Sequence, residues 1–318
     1  MTNAQEWPID DPRRSEVTLR REYLASGFTD RGIRAMLARG EVARVRRGAF
    51  AAASVWSSLD AEGQHSVRSR AVLKQARTPV VLSHVSGLLE YDVPLWDVDL
   101  SDVHVTRRDG RIGRREAGVH QHTGLVAPQD VVVRNGVPVM VPDRLALEIA
   151  TLLDVEHALP VVCDLLHRKW TTQAELAARQ AVMEFWPRSL NAEIVLRLAD
   201  PRIESIGEAR TLKLLWEHRL PMPELQYVVR DAHGEVVGRV DFAWPELGVF
   251  LEFDGKVKYE KLLRPGERAS DVVVREKKRE QDICRITGWR CIRITWADLE
   301  RALRTAVMIR SELFPSAA

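Results

Sequence analysis

Three carboxylates and two lysines are concentrated near the C-terminus, in the segment RVDFAWPELGVFLEFDGKVKY. Asp241 follows a short apolar run, and Glu252 and Asp254 end a second one. If the two runs are strands joined by the turn WPELG, side-chain alternation puts Glu252 and Asp254 on one face of a hairpin. Crowded carboxylates repel one another, and an all-oxygen site suits Mg²⁺. The segment therefore predicts a metal site made by Asp241, Glu252 and Asp254, with Lys256 and Lys258 beside it.

The flanking segments predict the elements that must position these acids. Upstream, IESIGEART predicts a helix on which Glu204 and Glu208, four residues apart, share a face. Downstream, VVVREKKREQDICRIT predicts a basic helix, Gly288 a turn, and RCIRITW a strand. Acids at strand ends are common on protein surfaces. The order of helix, acidic hairpin, basic helix and strand therefore carries more weight than the acids alone.

That order resembles the PD-(D/E)XK nuclease superfamily, and more closely the small Vsr-like endonuclease domains found beside other modules in bacterial proteins. The resemblance covers about residues 200 to 300 and depends on Asp241, EFDGKVKY, REKKREQD and GWRCIRITWADL. It implies that Asp241 and Glu252 bind a catalytic metal and that Glu208 is the acid of the first helix. Lys258 stands where relatives carry a histidine or lysine. The helix after the hairpin would carry Arg275, Lys277, Arg279 and Asp282, with the basic residues gripping backbone phosphate.

The chain departs from the superfamily pattern at one position. Asp254 stands two residues after Glu252, where the superfamily has a lysine. The lysine must then come from Lys256 or Lys258, or another group must orient the attacking water. Because Gly255 favours a turn or bulge, simple alternation is expected to fail after it, and the resemblance favours Lys258.

A second basic region lies near the N-terminus, in SEVTLRREYLASGFTDRGIRAMLARGEVARVRRGAFAA. Leu19 and Tyr23 recur at helical spacing, Thr29 or Asp30 can cap a second helix, and Gly48 offers a turn between two short strands. Two helices followed by a basic hairpin are the layout of a winged helix, in which the second helix enters the major groove. DNA contacts are then expected from Arg31, Arg34 and Arg39 on or beside that helix and from Arg44, Arg46 and Arg47 on the wing. A solvated bundle with a charged face is the alternative.

The middle of the chain, residues 60 to 183, predicts helices interspersed with short strands. Its segments SHVSGLLEYDVPLW, GVPVMVPDRLALEIATLL and CDLLHRKWTTQAELA, together with the basic N-terminal run, resemble AbiEi-like antitoxins over about residues 15 to 180. These are transcriptional repressors of type IV toxin–antitoxin systems. The resemblance implies DNA binding and leaves open a toxin partner.

His120 and His122 alternate along one predicted strand and could both bind a metal. With no third ligand nearby, we expect a hydrogen-bonded or solvated pair instead. His84, between Ser83 and Ser86, is expected to act in capping or packing rather than in a catalytic dyad.

Composition narrows the class of protein. The chain has 318 residues, 45% of them hydrophobic, and a formal net charge of +2, so the placement of charge says more than its total. No apolar run approaches a membrane span, and the N-terminus lacks an apolar signal core. The three cysteines, Cys163, Cys284 and Cys291, lack CxxC spacing. They fit a reducing cytoplasm and predict no cysteine zinc cluster of the Vsr kind.

We therefore expect an α/β multidomain protein. Its parts would be a tail (1–12), a winged helix (13–59), an antitoxin-like α/β middle domain (60–183) and a Vsr-like, restriction-endonuclease-like domain (184–318). The expected activity is cytoplasmic DNA phosphodiester hydrolysis with Mg²⁺ or Mn²⁺, without a membrane partner; self-association stays open. Two alternatives remain: a DNA-binding regulator or antitoxin whose nuclease-like domain is non-catalytic, and a nuclease acting on RNA.

Overall fold

The computed structural model describes residues 6–183, 186, 188–255 and 269–315, with the backbone alone over 269–277. The chain forms two compact units. Unit 1 comprises Met1–His157 and Lys169–Glu193, and unit 2 comprises Ala158–Arg168 and Ile194–Ala318.

The N-terminal part of unit 1 is a three-stranded antiparallel sheet with helices around it. The strands, in the order β1-β3-β2, are β1 (Thr18–Leu19), β2 (Val42–Arg46) and β3 (Ala49–Ala52). The helices are α1 (Arg20–Ala25), α2 (Asp30–Ala38), α3 (Ala53–Ser58) and α4 (Ala61–Gln75). Thr29 Oγ1 caps α2 by accepting from the Gly32 N–H at 3.1 Å. Val17, Val45 and Ala49 share a core with residues of α4. The predicted helices and the hairpin that turns at Gly48 are confirmed.

The segment expected to be a tail is built into unit 1 from Trp7 onward. Trp7 is buried, its backbone N–H donates to Asn135 Oδ1 at 2.9 Å, and its indole Nε1 donates to Asp92 Oδ2 at 2.9 Å. The polar composition of the segment does not indicate this packing, because the residue that anchors it is a single large aromatic, Trp7.

The rest of unit 1 is a mixed sheet of six strands in the order β6-β7-β5-β4-β9-β8. The strands are β4 (Val80–Leu82), β5 (Val103–Arg107), β6 (Arg115–Glu116), β7 (Val119–His122), β8 (Val131–Arg134) and β9 (Val137–Met140). The helices are α5 (His84–Leu89), α6 (Pro142–Leu152), α7 (Val155–His167), most of which belongs to unit 2, and α8 (Gln173–Val182). Strand β5 pairs in parallel with β7 and antiparallel with β4. This order brings the ends of β4, β5 and β7 together although they are far apart in sequence.

Unit 2 is built on a four-stranded sheet in the order β10-β11-β12-β13. The strands are β10 (Glu224–Arg230), β11 (Val236–Trp244), β12 (Val249–Asp254) and β13 (Arg290–Thr295). The helices are α9 (Ser189–Leu198), which begins in unit 1, α10 (Ile206–Glu217), α11 (Ala269–Thr287), α12 (Trp296–Leu299) and α13 (Ala302–Leu313). Strands β11 and β12 form an antiparallel hairpin, whereas β12 and β13 pair in parallel, with α11 between them in sequence. The predicted order of helix, acidic hairpin, basic helix and strand is confirmed.

The apolar residues of the hairpin form the core of this sheet. Phe242, Phe250 and Leu251 are fully buried, and Val240 packs with Phe250 and Ile283 of α11. A strand pair anchored this firmly fixes the register of the acids that it carries. Asp241 and Glu252, expected at strand ends, lie within β11 and β12, and only Asp254 ends its strand. Within the residues described, no helix is both long enough and apolar enough to span a bilayer.

Candidate functional site

Asp241 and Glu252 lie in one row across the sheet of unit 2, and Asp254 lies two residues further along β12, opposite Thr295. Phe242 pairs with Leu251 and Tyr227 with Val240, so the same registers put Asp241 opposite Glu252 and opposite Gln226. Glu252 pairs directly with Arg293 on β13. Asp241 Oδ2 also accepts the backbone N–H of Phe253 at 3.0 Å. We call Asp241, Glu252 and Asp254 the acidic row.

Glu252 is the buried member of the acidic row, with 8% of its surface exposed. Burial raises the pKa of its carboxyl group, the nearby charge of Asp241 raises it further, and the Arg279 guanidinium opposes the shift. Arg279 Nη2 donates to Glu252 Oε1 at 2.7 Å, and Arg293 Nη2 lies 3.7 Å from Glu252 Oε2. Two guanidinium groups therefore offset the charge of this carboxylate.

Arg293 links the row to α11. Its Nη1 lies 3.5 Å from Asp254 Oδ2, and its Nη2 donates to Glu280. Burial and the acidic neighbours act in opposite directions on Arg293, and the net result is a raised pKa, so it stays charged. Asp254 thus contacts a cation supplied by β13.

Glu208 lies at the start of α10, not on a shared helix face with Glu204. The helix begins at Ile206 with Ser205 as its N-cap, so Glu204 precedes it, and the expectation of a Glu204–Glu208 helical pair is wrong. Glu208 is buried and accepts from Ser205 Oγ at 2.7 Å, the Glu204 N–H at 3.0 Å and Gln226 Nε2 at 3.0 Å. Gln226 connects it to the strand position opposite Asp241. The sequence Ser-x-x-Glu is an N-cap signature that could have shown this.

Several predicted residues fall outside what can be placed. Lys256 and Lys258 lie outside the described residues, and the side chains of Arg275 and Lys277 do as well. Arg279, expected at backbone phosphate, is held against Glu252 and also donates to the Arg239 carbonyl. Asp282 pairs with Arg285 at 3.1 Å on α11.

The predicted DNA-contacting arginines of unit 1 divide into two groups. Exposed side chains on α2 and the hairpin belong to Arg31, Arg34, Arg44 and Arg47. Arg39 is exposed but paired with Glu41 at 2.6 Å. Arg46 is half-buried and lies 3.4 Å from the Ala117 carbonyl oxygen, and burial lowers its pKa. The first group is the more available to a polyanion.

Four imidazoles meet at the end of strands β4, β5 and β7 in unit 1. His104 Nδ1 lies 2.9 Å from His122 Nε2, and the ring of His122 stacks on those of His84 and His120 with centroid separations of 3.6 and 4.0 Å. Nitrogens of His84, His104 and His122 lie within 4.8 Å of one another. We call His84, His104, His120 and His122 the histidine cluster. The expectation that His120 and His122 have no third partner nearby is wrong.

Burial keeps these imidazoles neutral. It lowers the pKa of His104 to about 4 and that of His122 to about 3, with neighbouring histidines adding to each shift. The pKa of His84 is lowered well below its usual value for the same reasons. Neutral imidazole is the form that binds metals. Sequence reasoning found the pair on β7, but the partners come from β5 and the start of α5, whose pairing no local spacing reveals.

No family model matches the chain. Two Mycobacterium tuberculosis proteins, uncharacterized protein Rv2248 of strain H37Rv and uncharacterized protein MT2308 of strain CDC 1551, are each 29% identical over 152 residues. The match covers 44% of this chain and 56% of each relative, so the chain spans little more than half the length of these curated relatives. The crystal structure of the Rv2827c protein from the same species has a TM-score of 0.39 and 15% identity over 71% of this chain and 90% of that one.

Proposed function

We propose that the chain is a metal-dependent DNA endonuclease that hydrolyses phosphodiester bonds. Unit 2 would be a Vsr-like, restriction-endonuclease-like domain, and the N-terminal part of unit 1 a winged helix. The observation that carries the proposal is the acidic row itself, with Asp241 and Glu252 on adjacent strands of a helix, three-strand, helix, strand arrangement.

The donor set of the row fits a hard cation. Two carboxylates from neighbouring strands offer oxygen ligands, and Mg²⁺ or Mn²⁺ commonly completes such a set with waters and substrate phosphate. The buried Glu252 has a raised pKa because burial and Asp241 both disfavour its charge, and a cation would relieve this. When bound, the ion would polarise the phosphodiester and lower the pKa of a coordinated water.

The residues around the acidic row would each have a specific role. Arg293 holds Glu252 and Asp254 in register through its contacts to both carboxylates. Arg279 neutralises Glu252 and would turn to a phosphate oxygen once a cation takes over that charge. Glu208, through Gln226, supports the strand position opposite Asp241 rather than contacting the metal. A lysine from the segment after Gly255 would orient the attacking water.

DNA affinity would come from unit 1. The exposed Arg31 and Arg34 lie on α2, which would enter the major groove, while Arg44 and Arg47 lie on the hairpin that would contact phosphate.

The three cysteines of the chain, all within the described residues, are unbridged, which suits a reducing cytoplasm.

Cleavage of supercoiled plasmid tests the proposal. Purified protein is incubated with plasmid and Mg²⁺ or Mn²⁺, with and without EDTA, and RNA of the same sequence serves as a second substrate. We expect metal-dependent nicking or linearisation, lowered at least about a hundredfold by Asp241→Asn and by Glu252→Gln. Glu224→Gln, a change to an exposed carboxylate in the same sheet, is the matched control and should cleave like the wild type. Equal activity in all four proteins would contradict the assignment, and cleavage of RNA alone would change the substrate.

One observation favours a second candidate, a DNA-binding regulator or antitoxin with a non-catalytic nuclease-like domain. Glu252 already has two guanidinium partners, and Asp254 occupies the position of the superfamily lysine. If the arginines are permanent partners, the row is a structural ion-pair network. The plasmid assay distinguishes the two: specific DNA binding without metal-dependent cleavage would support the regulator.

A further inference from the structure

We infer that the histidine cluster of unit 1 is a binding site for a divalent transition metal, with Zn²⁺ as the expected ion, held by His84, His104 and His122. This site is separate from the acidic row in its donors and its preferred metal. It does not depend on the nuclease proposal.

The spacing of the nitrogens is close to what such a site needs. Two imidazole nitrogens bound to one tetrahedral Zn²⁺ at about 2.0–2.1 Å lie about 3.3 Å apart. His104 Nδ1 and His122 Nε2 are already 2.9 Å apart, and the third nitrogen falls within 4.8 Å of both. Side-chain rotations that unstack His84 from His122 would bring the three nitrogens to one ion.

The donor type selects the class of metal. Imidazole nitrogen is a ligand for Zn²⁺, Cu²⁺, Ni²⁺ and Fe²⁺, whereas Mg²⁺ and Ca²⁺ require oxygen. Three histidines with an open fourth position are the ligand set of one kind of catalytic zinc site, and structural zinc sites instead close the fourth position with protein.

A further set of contacts already orients the rings. His84 Nδ1 lies 3.1 Å from Ser83 Oγ and 3.6 Å from Glu148 Oε2, and the His84 backbone N–H donates to the same carboxylate oxygen at 3.0 Å. A carboxylate beside a ligating imidazole is a frequent supporting contact in zinc proteins. His104 is fixed through its backbone N–H, which donates to Ser86 Oγ at 2.8 Å.

The backbone of His84 supports a functional role. His84 has a φ of +49°, in the left-handed region that non-glycine residues rarely adopt. Such a strained conformation persists where the surroundings impose it, often at ligand sites. Here it directs the first side chain of α5 toward the rings of His104 and His122.

The histidine cluster borders a cavity of about 310 Å³, whose lining includes His84, His120 and His122. Its wall includes Arg144, which is 3% exposed; Arg144 Nη2 is buried and has no hydrogen-bond partner among the described residues. A guanidinium in the wall of the cavity would suit an anionic fourth ligand, such as hydroxide or a carboxylate.

Metal titration of the full-length protein tests the inference. The protein is stripped with EDTA, dialysed and titrated with Co²⁺, whose visible absorption reports tetrahedral nitrogen ligation, and Zn²⁺ is then added as a competitor. We expect one equivalent of tetrahedral Co²⁺ in the wild type and in Asp241→Asn. His122→Ala should weaken binding at least about a hundredfold, since altering even a residue that only orients a ligand costs about 10–100-fold. His157→Ala, an imidazole of unit 1 outside the cluster, is the matched control and should bind normally.

Thermal unfolding keeps the test decisive if a variant folds poorly. Zn²⁺ should raise the melting temperature of the wild type, Asp241→Asn and His157→Ala but not that of His122→Ala or the milder His122→Gln. Absence of a tetrahedral Co²⁺ spectrum in the wild type would overturn the site. So would equal affinity in the wild type and both His122 variants, or failure of Asp241→Asn alone to bind.

Discussion

The acidic row of unit 2 and the histidine cluster of unit 1 both concentrate ionisable groups on neighbouring elements, but the charge of those groups is controlled differently. Glu252 is flanked by Arg279 and Arg293, whose charges partly offset the effects of burial and of Asp241, so its pKa is still raised. The imidazoles of the cluster have pKa values lowered by burial, so their charge is absent at neutral pH. A cation that binds at the acidic row must displace an arginine from Glu252. A cation that binds at the histidine cluster meets the lone pairs of neutral imidazoles. Weak, hard-metal binding is expected at the first and tighter transition-metal binding at the second.

The largest expected effect concerns the lysine that would complete the acidic row. Lys258→Ala should slow single-turnover cleavage at saturating metal at least about a hundredfold, the cost of removing a positioned electrostatic group. Lys256→Ala should slow it less than about tenfold. The reverse ranking would mean that strand alternation continues through Gly255. Equal small effects in both would mean that Arg293, already beside Asp254, takes the place of the lysine.

The effect of burial on charge can be tested by measuring stability as a function of pH. The pKa of buried His65 falls to about 4 because burial disfavours its charged form, while the Leu100 carbonyl 3.0 Å from Nδ1 opposes the shift. Its contribution to folding is complete above about pH 6.5 and disappears as the pH falls toward 4. The change is about 3 kcal/mol of unfolding free energy for one such group. Glu252 affects stability in the opposite direction. Because its pKa is raised in the folded state, its ionisation lowers the stability as the pH rises above the pKa that it has in the unfolded chain.

Hydrogen exchange of the α4 and β5 amides between pH 7 and 4 measures this for unit 1. His65→Asn keeps a donor for the Leu100 carbonyl but does not titrate in this range. Its stability should be lower at pH 7 and should change less on acidification. Identical pH dependence in the two proteins would show that His65 does not carry the effect.

The sequence predicted one site far better than the other because of where the residues lie along the chain. Asp241, Glu252 and Asp254 come from a hairpin, whose register follows from its own short turn and apolar alternation. His84, His104 and His122 come from three elements, α5, β5 and β7, and the parallel pairing of β5 with β7 is non-local. Two features around the acids could not be predicted from local sequence. Helix α10 begins after its N-cap Ser205, so Glu204 lies outside it. The arginine partners of Glu252 come from α11 and β13.

A third, smaller effect tests how firmly the core fixes the acidic row. A Cβ added at Gly207 on α10 would lie 2.0 Å from the ring of Phe253, whose backbone N–H donates to Asp241. Gly207→Ala should therefore destabilise unit 2 by about 1–3 kcal/mol, as overpacking does, and should lower cleavage with it. Gly32→Ala on α2 is the control, because its nearest neighbour would be at an ordinary 3.6 Å. It should be neutral or stabilising by up to about 1 kcal/mol, and equal melting temperatures for both variants would contradict the tight packing at Gly207.

The smallest effect separates DNA binding in unit 1 from chemistry in unit 2. Replacing Arg44 and Arg47 by alanine should flatten the salt dependence of DNA affinity by about one unit of logarithmic slope for each phosphate that is no longer neutralised. Arg46→Ala is the matched comparison on the same hairpin. It should change the slope less, because its guanidinium is half-buried and lies 3.4 Å from the Ala117 carbonyl oxygen. Fluorescence anisotropy with a labelled duplex over a range of KCl concentrations gives the slopes. If the Arg44 and Arg47 variant keeps the wild-type slope, the phosphate-binding surface lies elsewhere, and the basic face of α11 becomes the next segment to test.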